Sequence, residues 1–290
     1  MTMETQISRR VLLASAGALA ITSRALAASD KEPVFDLTKP TKGTVIPQAK
    51  VAEVDAAPLI QKTVRKLWND SATGMTQPNA MQFTPQGTLL LLDQRDPNKV
   101  FEVVADTGKI LRSVQTECIH GSGITVDADG NWILTSTKGV GGPPSTLLTD
   151  PKTGKTIRKW VTPGWGYYGA VTEAKGSPSG GHDVKWAGNG RYWMTVPASG
   201  RIFLMDEKTG KPVRSIPAPV LRTHGLVIDG DYLWSVASDF WQIHKISLKD
   251  GKVVGKIQMA KSDPTVHGLE MKDGVLWYCD ADKGWVCKLT

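Results

Sequence analysis

Cysteine is scarce in this chain: three residues in 290 allow at most one internal disulfide and exclude a disulfide-stapled scaffold. Cys279 and Cys287 fall on consecutive expected strands and could bridge, although small buried thiols are the favoured reading; Cys118, two residues before His120, is either a buried spectator or a thiolate ligand. Long hydrophobic runs are also missing. Beyond the N-terminal region no stretch approaches the ~20 apolar residues of a membrane-spanning helix, so no membrane insertion is expected. The lysines sit singly along turns, at Lys109, Lys155, Lys211 and Lys252, with no basic cluster, which argues against a nucleic-acid partner. No convincing helical segment stands out. Histidine is almost as rare as cysteine, at five residues, so any pattern among the histidines carries information.

Residues 1–27 read as a signal peptide of twin-arginine type. Ser8-Arg9-Arg10-Val11-Leu12-Leu13 is followed by an apolar run through Ile21 and by Ala25-Leu26-Ala27, a small-residue cleavage site. Removing Arg9, Arg10, Arg24 and Glu4 with it lowers the formal net charge from +7 to +5. The expectation is a soluble periplasmic protein, a monomer, exported by the twin-arginine pathway. That route carries folded proteins, some with a cofactor already loaded and some only because they fold fast.

An internal repeat sets the fold. Its inner-strand element occurs as Asn79-Ala80-Met81, Ser122-Gly123-Ile124, His182-Asp183-Val184, His224-Gly225-Leu226 and His267-Gly268-Leu269, at steps of 43, 60, 42 and 43 residues. Periods near forty residues belong to propellers and arrays. Each element precedes a second apolar strand containing Leu89-Leu90-Leu91-Leu92, Trp132, Trp193, Trp234 or Trp277, and then a Gly-centred hairpin such as Asp106-Thr107-Gly108-Lys109 or Lys208-Thr209-Gly210-Lys211. The tryptophans are expected as inter-blade core. The fold class is therefore all-β, a β-propeller of four-stranded antiparallel blades forming one domain over 28–290. The last repeat lacks an outer strand, which Lys62-Thr63-Val64-Arg65-Lys66-Leu67-Trp68 could supply by closing the ring. The residues outside the five repeats exceed one blade and fall short of two, so six blades are favoured over five.

In a propeller the inner strands line an axial channel, and equivalent positions converge at one mouth. His182, His224 and His267 share one phase and His120 lies two residues from it, a set suited to a divalent metal ion, zinc or iron, with an open position for substrate. The competing reading makes them structural clips between blades. His244 falls on a third strand and is assigned no role. Glu270, three residues past His267, and Asp280, after the second strand, are candidate acids or bases beside such a metal; Asp93 and Asp183 read as turn residues. Arg222, two residues before His224, is placed to hold an anionic group. The long third interval carries an insertion at about 161–181 that includes Pro163-Gly164-Trp165-Gly166-Tyr167-Tyr168-Gly169 and leads straight into His182. It reads either as a substrate-covering lid, with Tyr167 or Tyr168 as acid or base, or as a plug seated by Trp165.

These elements resemble the virginiamycin B lyase and NHL-repeat propellers, most clearly at His267-Gly268, Trp277 and Lys288-Leu289-Thr290. That resemblance implies a metal-dependent lyase; Thr265 and Ala281 stand where the virginiamycin B lyases carry glutamates. The arrangement of His182, His224 and His267 is also similar to peptidyl-α-hydroxyglycine α-amidating lyase, whose three inner-strand histidines hold zinc. The expected function is a periplasmic metal-dependent lyase or hydrolase acting on a small molecule at the channel. The alternatives are a non-catalytic binding or scaffold propeller and, because four-histidine iron occurs in the much larger carotenoid-cleavage propellers, a four-histidine iron-dependent oxygenase.

Overall fold

The computed structural model describes residues 34–69, 74–139, 141–168 and 178–290. The expected signal peptide lies outside them. At the N-terminal side, strand β1 (Thr41–Thr44) and helix α1 (Gln48–Ala56) precede β2 (Val64–Asn69). Blade I follows as β3 (Pro78–Phe83), β4 (Leu89–Asp93), β5 (Lys99–Val103) and β6 (Ile110–Gln115), and blade II as β7 (Gly121–Val126), β8 (Trp132–Ser136), β9 (Ser145–Thr149) and β10 (Thr156–Val161). After β11 (Gly166–Tyr168), blade III is β12 (Val184–Gly188), β13 (Arg191–Val196), β14 (Arg201–Asp206) and β15 (Pro212–Pro217). Blade IV is β16 (Thr223–Asp229), β17 (Tyr232–Ala237), β18 (Gln242–Ser247) and β19 (Val253–Gln258). Blade V is β20 (Leu269–Lys272), β21 (Val275–Cys279) and β22 (Trp285–Leu289), completed by β2 as its outer strand.

The propeller thus has five blades, not the six favoured from the sequence. Val64 pairs with Leu289 and Arg65 with Lys288, while Thr63 and Thr290 exchange two backbone hydrogen bonds of 2.8 and 3.0 Å. The closing strand is the one expected. The residues ahead of it go into a strap instead of a sixth blade. In that strap β1 pairs in parallel with β11, and α1 lies along β19, where Val54 and Ala57 pack on Val253 and Glu53 accepts the Val253 N–H at 2.5 Å. Six of the nine helix residues are Ala, Gln, Lys or Glu, good helix formers, with a Lys50 to Glu53 ion pair at 2.7 Å across one turn. No helix among the described residues is long and apolar enough to cross a membrane.

The core is divided among the blade interfaces. Trp132 packs between blades I and II, Trp193 between III and IV, Trp234 between IV and V, and Trp277 between V and I, as expected. Each large aromatic buries roughly 150–250 Å², an upper bound of about 4–6 kcal/mol at ~25 cal/mol/Å². Polar clips repeat at the rim: Arg112 donates to the Pro151 carbonyl of the next blade (2.8 Å), Arg158 to Lys208 (3.2 Å), Arg214 to Leu248 (2.5 Å), and Lys288 closes blade V onto Asp106 of blade I (2.8 Å). The hairpin glycines are needed there. A Cβ on Gly154 would stand 1.8 Å from the Gln115 carbonyl oxygen and one on Gly210 2.0 Å from the Trp160 ring, both at positive φ.

Cys118, Cys279 and Cys287 are buried free thiols. Burial pushes the Cys118 thiol up to about 12, so it is not a ready thiolate ligand.

A candidate histidine site at one mouth of the channel

The inner-strand elements bring Asn79, Ser122, His182, His224 and His267, one from each blade, to the same level of the channel, and all five are buried. Blades I and II contribute an amide and a hydroxyl, with Asn79 Nδ2 donating to Ser122 Oγ at 2.7 Å. Blades III, IV and V contribute imidazoles. The rings of His182 and His224 lie 4.7 Å apart and those of His224 and His267 5.0 Å apart, each pair tilted by 31°.

The glycine after His224 and His267 explains the close approach. A Cβ on Gly225 would fall 2.3 Å from the His267 carbonyl oxygen, and one on Gly268 2.7 Å from Ala80 Cα. Instead the Gly225 N–H donates to the His267 carbonyl at 2.8 Å. The inter-blade clip is therefore a main-chain one, and it leaves the rings out of the work of joining blades. At the equivalent position blade III has Asp183. Its carboxylate accepts the N–H groups of Val184 and of Leu226 on blade IV, each at 2.8 Å, and burial pushes its pKa up to about 7.

Burial also holds the histidines neutral. His182 is lowered to about 3, with Arg222 as the next contributor; His224 is driven well below the ordinary imidazole value by burial and then by His182; His267 is lowered by burial, partly offset by Asp282. His120 is half-buried, adopts a left-handed backbone at φ 54° just before β7, and is lowered to about 4 by burial and Lys138. Its charge bears on both His182 and His224, which places it at the same mouth. Four uncharged imidazoles in one place are metal-ligand chemistry in their correct protonation state.

Hydrogen bonds fix the tautomers in part. Ser238 Oγ donates its single proton to the Val266 carbonyl at 2.5 Å, so it accepts from His224 Nδ1 at 2.8 Å, and the His224 lone pair is on Nε2. His267 Nδ1 lies 3.3 Å from the Ala281 N–H and 3.4 Å from the Thr265 carbonyl; the first needs the lone pair there and the second the proton, so the two tautomers compete. His182 Nε2 is held by Ser179 Oγ at 2.8 Å. Among the described residues no three His, Cys, Asp or Glu donors already converge on one point suitable for a metal ion. The donor set suits a cation in ring spacing, protonation and the orientation of His224. Ligation through Nε2 would require His182 to leave Ser179 and His267 to take the Nδ1–H tautomer.

Arg222 stands at the rim in an ion pair with Asp239, and its charge bears on His182, His224 and His267. Asp280 closes a turn, accepting the Asp282 N–H at 2.8 Å; its neighbour Ala281 is the residue that reaches His267. Burial raises the Asp280 carboxyl. Glu270 is not brought to the histidines. It pairs with Lys185 at 3.4 Å further along the channel, because three residues of extended chain rise about 10 Å. Tyr167 is half-buried in β11; Tyr168 lies in the same strand, its side chain outside the described residues. Trp165 is buried against the N-terminal strap, donating to the Leu37 carbonyl at 3.1 Å, which fits the plug reading at that residue. His244 is buried on β18 and bonded to Gln242 at 3.0 Å.

Ser179 and Ser238 escaped the sequence reading. Ser238 sits 14 residues past His224, as Ala281 sits 14 past His267, so the repeat itself held the signal. Ser179 is tied through two backbone bonds to Gly166 and has no counterpart in the other blades.

No family model and no curated protein matches the sequence. Among solved structures, the glutaminyl cyclase of Myxococcus xanthus superposes with a TM-score of 0.57 at 11% identity, over 80% of this chain and 97% of that one. The virginiamycin B lyase of Staphylococcus aureus covers 79% and 99% at 12% identity with a TM-score of 0.48, and the WD40 propeller domain of Doa1 covers 72% and 62% at 13% with 0.46. The likeness is one of fold, and the chain is a five-bladed β-propeller.

Proposed function

We propose that this chain is a periplasmic metal-dependent enzyme, a lyase or hydrolase exported by the twin-arginine pathway, that acts on a small molecule at the histidine mouth of its channel. The observation carrying this reading is the row of three buried, neutral imidazoles with ring centres 4.7 and 5.0 Å apart on three adjacent blades. His224 offers an Nε2 lone pair set by Ser238, and His182 and His267 flank it; His120 would add a fourth ligand or face the open position. A bound zinc or iron ion would supply Lewis acidity toward a carbonyl or alkoxide. Arg222 orients an anionic substrate group from the rim, and Tyr167, Tyr168 or Asp280 are the candidates for moving a proton. Glu270 belongs to the opposite end of the channel and is set aside from that role.

Two alternatives remain distinct from it. An iron-dependent oxygenase would need His120 as a fourth ligand. A binding or scaffold propeller is favoured by donors that, among the described residues, do not already converge. Metal analysis separates them: protein purified from the periplasm is expected to carry about one equivalent of a transition metal, lost in His224→Ala. Less than about 0.1 equivalent, unchanged after incubation with Zn²⁺ or Fe²⁺, overturns the metal reading.

A further inference from the structure

Three residues past the histidine level, the same five strands form a second ring: Gln82, Thr125, Lys185, Val227 and Glu270. Between the rings the strands approach so closely that a Cβ on Gly123 would meet Asp183 Cα at 2.7 Å, and the Gly225 and Gly268 approaches add to this waist. The second ring therefore opens onto its own cavity of about 430 Å³, walled by Phe83, Trp186 and Ile228.

Its floor is polar. Lys185 and Glu270 are an ion pair with side chains only 4% and 8% exposed, a pairing that apolar residues of similar size would replace without loss of stability. Counting donors and acceptors among the described residues gives the ligand. Lys185 Nζ donates to the Met81 carbonyl (2.5 Å) and to Glu270, leaving one of its three N–H groups. Gln82 Nε2 donates to the Phe83 carbonyl at 3.0 Å and keeps one N–H, while its Oε1 accepts from Thr125 at 3.0 Å. Glu270 accepts Met271 N–H on Oε1 and Lys185 on Oε2, with a lone pair left on each oxygen. Two spare donors next to two spare carboxylate lone pairs, under an aromatic and aliphatic wall, match a molecule that carries a carboxylate, an ammonium and an apolar body.

The geometry points to a second ligand site at this end of the channel, for a free α-amino acid with an apolar side chain, its carboxylate on Lys185 and Gln82 and its ammonium on Glu270. The site is independent of any metal at the histidine mouth.

Calorimetric titration of the mature protein with L-phenylalanine and L-leucine tests it, alongside N-acetyl-L-phenylalanine and L-phenylalanine methyl ester, which each remove one charge. The free amino acids are expected to bind with Kd below about 1 mM, and both blocked derivatives at least about tenfold more weakly. Glu270→Gln should weaken L-phenylalanine by a similar factor, and EDTA should leave the wild-type affinity unchanged. The proposal is overturned if no free amino acid binds at about 10 mM, if either blocked derivative binds as well as the parent, or if EDTA abolishes binding. The derivative series on the wild-type protein decides the matter even where Glu270→Gln fails to fold. A metal-free protein that binds L-phenylalanine separates this site from the proposed enzyme activity.

Discussion

At one end of the channel His182, His224 and His267 stand side by side, buried and uncharged; three residues further along the same strands Lys185 and Glu270 are buried as an ion pair. The two ends share their backbone and differ in how polar groups are satisfied. The histidines cost little to bury, because neutral imidazoles forgo only modest hydration, and His224 keeps its Nε2 lone pair. The ion pair carries a large desolvation penalty that its own attraction offsets. A single substitution should thus change binding at the first end with little effect on stability, whereas at the second a single substitution should disturb both.

Breaking the ion pair gives the largest expected effect. Lys185→Met leaves the Glu270 carboxylate buried without its partner and should cost about 3–5 kcal/mol in urea unfolding, whereas the double variant Lys185→Met with Glu270→Leu should return to within about 1 kcal/mol of wild type. A double variant as unstable as the single one would show that the pair holds the blades together. At the histidine end the expected change is in affinity. Ser238→Ala frees the His224 tautomer and should weaken metal binding by about 10–100-fold, measured by competition with a chelator, at a stability cost of only about 1 kcal/mol. A smaller effect is expected from His244, which is buried away from both ends. Burial lowers it from 6.5 to about 4, so the unfolded chain binds the extra proton, and the stability present above pH 6.5 is lost as the pH falls toward 4. His244→Gln should make that acid limb of the Tm curve shallower, with or without metal. Asp183 works in the opposite direction, its raised pKa eroding stability as the pH climbs from 3.8 toward 7.

How much of this could be read from the residues depends on whether a feature repeats. The phase of His182, His224 and His267, the tryptophans of the second strands and the glycine hairpins each recur, and the propeller, its closing strand and the convergence of the three rings follow from them. The strap does not recur. Thr41–Thr44 and α1 have no counterpart in any blade, so their residues read as material for a sixth blade when they in fact cover the outer edge of blade IV and the insertion. Proximity along the sequence misled at Glu270, where three residues of strand separate it from His267 by about 10 Å. Glycine after histidine was ambiguous for a different reason: the repeat selects it for main-chain approach, whatever the ring does.

The pairing of β2 with β22 has a consequence for biosynthesis. Thr63 and Thr290 are 227 residues apart, so the first of them emerges from the ribosome long before its partner. Blades I to IV can assemble as they appear, each from contiguous chain, but the ring stays open until β22 has been made. Closing it then joins distant segments at a loop-closure cost that grows only logarithmically with length. A deletion of β22 should leave blade V two-stranded, the Trp277 interface with blade I open, and β2 without a neighbour, so the pairing of β2 with β22 reports on the integrity of the whole ring.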